Sequence, residues 1–315
     1  MFLGIDVGGT KVEGAVAELN LLERSINVLS KKRISTIHDH EAFVDSLVVL
    51  INDLLLESAL KMDDLLAIGI ALPGTLHPKT SIMLNGNTRF LIGHDVLKML
   101  KEKLGSNVRI VAQNDANLFA LAEAWGGAGK HYEAAKGVPF KDQVVVGITL
   151  GTGVGGGFVS QGKILSGASG AALEVGHIVL QAGGNRCYCG QQGCAETYLS
   201  GTAINKTMNS HEFFAKASSG SQEVLQAMID YRLNFVQFLS IINNLFNPHY
   251  FVFGGGLSSQ SILFEDLKTD LEENIFLSKE YCPDIYINHL GDSSCLLYTS
   301  PSPRDLSTSR MPSSA

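Results

Sequence analysis

The sequence predicts an α/β fold built as two related halves, and three observations carry that prediction. Gly4-Ile5-Asp6-Val7-Gly8-Gly9-Thr10-Lys11-Val12-Glu13-Gly14 and Gly147-Ile148-Thr149-Leu150-Gly151-Thr152-Gly153-Val154-Gly155-Gly156-Gly157 follow one pattern: an apolar strand, a glycine turn, a second apolar strand. Short apolar runs alternate with segments of helical spacing. Polar and glycine-rich stretches sit at the ends of those runs, where open α/β sheets bind ligands.

In the first half, Phe2 to Ile5 and Gly14 to Ala17 read as strands. Phe43 to Leu60 reads as a helix from Phe43, Leu47, Leu50, Ile51, Leu54 and Leu55. Ala67 to Ala71 is a short buried strand closed by the turn signal Leu72-Pro73-Gly74. His94 to Leu104 follows as a helix and Val108 to Ala112 as another buried strand. Leu118 to Trp125 continues as a helix capped by an Asn or Asp of Gln113-Asn114-Asp115-Ala116-Asn117. The second half restarts at Val144 with the repeated hairpin, then crosses a Gly- and Cys-rich loop region. Helices from about Ser221 to Phe246 lead to the strand Tyr250-Phe251-Val252-Phe253, which opens onto Gly254-Gly255-Gly256. The halves divide between Asn114 and Val144, which gives domains of 1–115 and 116–294. From Cys295 onward Ser, Pro and Thr dominate, so 295–315 reads as a disordered tail foreign to the preceding sequence.

At 315 residues, 45% apolar and 17% charged, the chain has the composition of an ordinary globular protein with room for two cores. A formal net charge of −7 without a long basic run argues against nucleic acid as a partner. No apolar run approaches the roughly 20 residues of a membrane span, and the first strand begins at Phe2 without a preceding signal peptide, so a cytoplasmic location is expected. Three of the five cysteines crowd into Cys187-Tyr188-Cys189-Gly190-Gln191-Gln192-Gly193-Cys194, which favours a metal over disulfides. The isolated Cys282 reads as a small buried residue.

The glycine hairpins bring backbone N–H groups close to an anion. A lone glycine turn is weak evidence, but two copies and the triple at Gly254–Gly256 point to a nucleotide polyphosphate held by Gly8, Gly9, Thr10, Lys11, Gly151, Thr152, Gly153, Gly255 and Gly256. Only the first copy has a carboxylate, Asp6, where the second has Thr149, so Asp6 is the candidate for Mg²⁺, held directly or through water. Asp115, after a strand and before a helix, has two readings: a helix cap, or a base that takes the proton of a hydroxyl attacking phosphorus. His177, Cys187, Cys189 and Cys194 have the spacing His-x9-Cys-x-Cys-x4-Cys, suited to a closed tetrahedral zinc site, against the plainer reading of core thiols and a surface histidine. Four protein ligands leave no open position, so the zinc is expected to be structural. Glu174 and Glu196 flank the cluster and face either a ligand or solvent. Asn85-Gly86-Asn87-Thr88-Arg89-Phe90 is a polar loop that also suits sugar hydroxyls.

Asp6-Val7-Gly8-Gly9-Thr10-Lys11, Asn114-Asp115-Ala116-Asn117, Gly151 to Gly157, Glu174-Val175-Gly176-His177 and the cysteine cluster together resemble the ROK family of bacterial sugar kinases and related repressors, from Met1 to about Ser294. The resemblance implies an actin-like, hexokinase-like (RNase H-like) duplicated two-domain α/β fold with a cleft between domains. It implies ATP- and Mg²⁺-dependent phosphorylation of a hexose, usually at the 6-hydroxyl, with Asp115 as base and Asp6 as the Mg²⁺-linked carboxylate. Asn87, Asn114, Asp115, Glu174, His177 and Glu196 are then sugar contacts, with one ring nitrogen of His177 on zinc and the other toward the sugar. Zinc would orient the sugar pocket without touching phosphate. The loop around Asn87 is similar to the fructokinase and mannokinase branch, whereas Asn114 to Trp125 looks more like N-acetylglucosamine kinases, so fructose, mannose, glucose and N-acetylglucosamine all stay open. Many relatives form dimers, so a homodimer is compatible with the reading. The competing reading is a sugar-sensing regulator without kinase activity, against which stand Asp6, Asp115 and the absence of a helix-turn-helix ahead of the first hairpin. Family members also continue past Gly291-Asp292-Ser293-Ser294 into a final helix, which the Ser/Pro tail replaces here; lower stability is expected.

Overall fold

The computed structural model describes residues 1–291; the expectations for the tail from residue 295 lie outside them. The chain forms two compact units, one of Met1–Gly126 with Ser166–Ala172, the other of Gly127–Leu165 with 173–291. Among the described residues, no helix is long and apolar enough to cross a membrane.

The first unit contains β1 (Phe2–Val7), β2 (Lys11–Asn20), β3 (Ser25–Ser35), α1 (His40–Glu57), β4 (Ala67–Leu72), β5 (Gly74–Leu76), β6 (Met83–Gly86), α2 (Val96–Leu104), β7 (Arg109–Asn114) and α3 (Asp115–Gly126). Its main sheet has the order β3-β2-β1-β4-β7. β1 and β2 form the expected antiparallel hairpin, while β4 is parallel to both β1 and β7. β4 is buried along its whole length, as its unbroken apolar run requires. Phe43, Leu47, Leu50, Ile51 and Leu54 form the buried stripe of α1 and share a core with Leu3, Ile5, Val12, Ile68 and Ile70. Asp39 caps α1 by accepting from the Ala42 N–H at 2.9 Å. The polar loop expected at Asn85–Phe90 is partly a strand: Asn85 lies opposite Thr75 in the β5–β6 pair, and Asn87 follows it, exposed.

The second unit contains α4 (Ala128–Lys136), β8 (Val144–Leu150), β9 (Val154–Ser160), β10 (Lys163–Ile164), α5 (Glu196–Leu199), α6 (Gly201–Ile204), α7 (Ser210–Ser218), α8 (Leu225–Phe246), β11 (Tyr250–Gly254), α9 (Leu267–Glu272) and β12 (Asp284–Ile287). Its sheet order is β10-β9-β8-β11-β12, with an antiparallel β8–β9 hairpin and β11 parallel to β8 and β12. Strand for strand this repeats the first sheet, so the sequence duplication is a duplication of topology. β11 is fully buried, and Phe253 packs edge-on against Phe235 of α8 with ring centroids 5.6 Å apart. Cys282 is buried as expected, which pushes its thiol up to about 11.

Candidate active site

In the first unit the candidate residues gather at the carboxyl ends of parallel strands. Asp6 is the penultimate residue of β1, the Gly8–Gly9 turn follows, and Asn114 ends β7. The register puts Arg33, Glu13, Asp6, Ala71 and Gln113 in one row across β3, β2, β1, β4 and β7. Neighbours in such a row project from the same face, so Glu13 lies beside Asp6. Glu13 is buried, but Lys31 Nζ lies 2.7 Å from one of its oxygens and Arg33 donates to the other through Nε at 2.8 Å and through Nη2. Two cations thus compensate the negative charge next to Asp6.

Asp115 is the first residue of α3 rather than a residue ahead of it. The cap is Asn114, whose side-chain oxygen accepts from the Asn117 N–H at 3.2 Å while its amide donates to the Gly74 carbonyl at 3.2 Å. Asp115 leaves the Asn117 N–H to Asn114 and accepts instead from the Ala116 N–H at 2.8 Å, at the positive end of the helix dipole, where a carboxylate is favoured. Gln113, which sequence reading passed over, braces this corner: its side-chain oxygen accepts from the Asn114 N–H at 2.8 Å and its amide donates to Ser166 at 3.3 Å.

In the second unit, Gly151, Thr152 and Gly153 form the turn after β8, and Gly255 and Gly256 follow β11. Of these glycines Gly255 adopts left-handed backbone at φ +83°, whereas Gly8, Gly9, Gly151 and Gly153 do not. At Gly153 the reason for glycine is space: a Cβ would lie 2.5 Å from Glu196 Oε2. That oxygen accepts from the Val154 N–H at 3.0 Å, so Glu196 is tied to the glycine turn.

The zinc candidates converge. The ligand atoms of His177, Cys187, Cys189 and Cys194 all lie within 4.8 Å of one another. His177 Nδ1 is 3.5 Å from Cys187 Sγ, and Cys189 Sγ is 3.6 Å from Cys194 Sγ. A tetrahedral zinc with bonds of about 2.0–2.3 Å needs ligand spacings of about 3.3–3.8 Å; the His177–Cys187 and Cys189–Cys194 spacings fall in that range, so the donor set is compatible with that ion. The other ring nitrogen of His177 lies 3.2 Å from the Tyr188 hydroxyl rather than open to a ligand. Tyr188 is a second residue that sequence reading missed, although its place between two cysteine ligands marks it. Burial and then the nearby carboxylates of Glu196 and Glu174 push its hydroxyl up to about 12. Tyr188 thus joins Glu174, His177 and Glu196 in one polar cluster at the knuckle. Glu174, exposed, precedes the turn Val175–His177.

Comparison with known proteins gives the family. The model of the ROK family matches residues 2–297. The chain belongs to the ROK family. Among its relatives is the N-acetyl-D-glucosamine kinase of Haemophilus influenzae (strain 86-028NP), 32% identical over 93% of this chain and 96% of the relative. The ROK hexokinase of Thermus thermophilus superposes with a TM-score of 0.76 at 23% identity, covering 98% of this chain and 99% of that one. A ROK family transcriptional regulator superposes equally well, with a TM-score of 0.77 at 22% identity, over 95% of this chain and 76% of the regulator. The ROK fold, two hexokinase-like α/β repeats, is therefore shared by kinases and regulators, and activity has to be argued from the site.

Proposed function

We propose that this ROK chain is an ATP-dependent hexose kinase acting on a sugar 6-hydroxyl, with N-acetyl-D-glucosamine the first acceptor to test. The observation that carries the reading is the pairing, on one sheet, of Asp6 beside a glycine turn with Asp115 at the head of α3. β1 and β7 stand two strand spacings apart, about 10 Å, which leaves room for a phosphoryl group between the two carboxylates. Similarity to a protein named N-acetyl-D-glucosamine kinase, 32% identical along nearly the whole chain, supports testing that sugar first.

In the proposed reaction the sugar oxygen attacks the γ-phosphorus of ATP, the bond from that phosphorus to the β-phosphate oxygen breaks, and ADP leaves. The hydroxyl proton passes to the Asp115 carboxylate. Little basicity is required, because phosphoryl transfer depends mainly on positioning and charge stabilisation. Gly8 to Lys11, Gly151 to Gly153, Gly255 and Gly256 would hold the nucleotide. Mg²⁺, held at Asp6, would neutralise charge on the phosphate oxygens. Asn87, Asn114, Glu174, His177 and Glu196 are the candidate sugar contacts, and the knuckle would hold a structural zinc. The free thiols among the described residues suit a reducing, cytoplasmic setting.

An ADP-release assay across N-acetylglucosamine, glucose, mannose and fructose tests the proposal. Turnover with at least one of them is expected. Asp115→Asn should lower kcat by about 10²–10⁴-fold and leave sugar binding largely intact. Sugar binding without any ADP release would instead favour a regulator.

A further inference from the structure

Both glycine turns are held from behind by a threonine. In the first, Thr36 Oγ1 donates to the Gly8 carbonyl at 2.8 Å, and the Thr36 N–H donates to the Thr10 carbonyl at 3.1 Å. In the second, Thr202 Oγ1 donates to the Thr152 carbonyl at 2.7 Å, and the Gly201 N–H donates to the Gly151 carbonyl at 2.7 Å. The turns are copies of one another, but the latches are not: Thr36 lies just past an edge strand, β3, and Thr202 lies in the short helix α6. Unrelated segments thus supply the same contact, a hydroxyl on a turn carbonyl with a neighbouring N–H on a second one.

The contact has a directional consequence. A peptide unit carries its C=O and N–H on opposite sides, so fixing the carbonyls of a turn also fixes where its amides point. The held carbonyls of Gly8, Gly151 and Thr152 thus set the N–H groups of Gly9, Thr152 and Gly153, which, among the described residues, donate to no protein acceptor. Each is thus available to an anion, and successive amides facing one way make an anion-binding concavity. The second turn has a further brace, since Glu196 takes the Val154 N–H out of that set. Glu196 is two residues past the zinc candidate Cys194, so the segment from Glu196 to Thr202 connects the knuckle to the turn.

We propose that Thr36 and Thr202 are positioning residues for phosphoryl transfer: each holds the carbonyls of one glycine turn against the protein and thereby presents that turn's free amides to nucleotide phosphate. The proposal rests on the kinase reading and names residues that reading does not use. Neither threonine touches substrate; each acts through the turn it holds.

The test uses Thr202→Val, Thr36→Val and the two Thr→Ser variants in the full chain, with AMPPNP and sugar binding followed by calorimetry beside steady-state kinetics. Thr202 is exposed, so its replacement by valine leaves the core untouched. The valine variants should bind AMPPNP about three- to tenfold more weakly, the range set by losing one hydrogen bond, and raise the KM for ATP in proportion. Sugar affinity should stay at the wild-type value, and serine should restore nucleotide binding. Thr36 is buried, and if Thr36→Val fails to fold, Thr202→Val and Thr202→Ser carry the test alone. Unchanged AMPPNP affinity in Thr202→Val, or an equal loss of sugar and nucleotide binding, would overturn the proposal. Wild-type protein that binds neither AMPPNP nor any hexose would instead overturn the kinase reading.

Discussion

A carboxylate with 5% of its surface exposed needs its charge compensated, and Glu13 meets that need with two cations. Lys31 and Arg33 come from β3, the edge strand, and both remain about half exposed. Solvent screening of the cations keeps the interaction well below that of a fully buried pair. Arg33→Ala should therefore destabilise the protein by about 1–2 kcal/mol, read as a lower urea midpoint, and Lys31→Ala by less because Arg33 reaches Glu13 through two nitrogens and Lys31 through one. Equal losses in the two variants would show that the carboxylate treats its partners as interchangeable. The sequence displayed Glu13 within the hairpin motif, but its partners were not legible. Nothing in a run such as Ser30-Lys31-Lys32-Arg33 announces that its side chains cover a buried acid; only the β2–β3 register does so.

At the scale of elements, the turn Val175–His177 shows why the stretch Glu174-Val175-Gly176-His177 contains a glycine. A Cβ on Gly176 would lie 2.2 Å from the Val154 carbonyl oxygen, a backbone atom that cannot swing aside. Gly176→Ala must lift the turn off β9 and carry His177 with it. A loss of about 2–3 kcal/mol is expected, with lower zinc content after dialysis against a chelator; zinc retained at the wild-type level would place His177 outside the ligand set. At the other edge of that unit, Asp284 of β12 meets Lys268 of α9 and Lys136 of α4. Burial acts to raise its carboxyl, but the hydrogen bond and charge of Lys268 and the charge of Lys136 outweigh burial and hold it below the ordinary range. A depressed carboxyl stabilises the fold above its unfolded value and loses that contribution as pH falls through the folded value. Asp284→Asn should thus cost about 0.5–1 kcal/mol near neutrality, discounted for the exposed lysines, and cost nothing in strong acid, as chemical denaturation at several pH values would show. Helices and buried strands were the legible elements, since α1, β4 and β11 advertise themselves by apolar spacing. β3 and β12 were not, because edge strands owe their form to backbone pairing more than to burial.

At the scale of the whole molecule, one sheet order occurs twice, and the repeat that carries the knuckle has Thr149 where the other has Asp6. The sequence made the duplication visible and suggested a zinc that serves the sugar alone. The contacts argue for a wider reach. Cys194 is followed by Ala195 and by Glu196, whose carboxylate accepts from Val154, and then by Gly201 and Thr202 on the carbonyls of the same turn. Loss of zinc should loosen this segment along with Glu174 and His177, so chelated protein is expected to lose nucleotide binding as well as sugar binding. Thermal shift separates the outcomes. A ligand at 100 times its Kd adds about 2.7 kcal/mol of stability, which for a chain of this size corresponds to a shift of about 4 °C. Zinc-replete protein should show such a shift with N-acetylglucosamine and with AMPPNP, and chelated protein should show neither until zinc is restored. If chelation abolishes the sugar shift and leaves the AMPPNP shift intact, the glycine turn keeps its shape without the knuckle, and the path from Cys194 through Glu196 to Val154 carries no coupling.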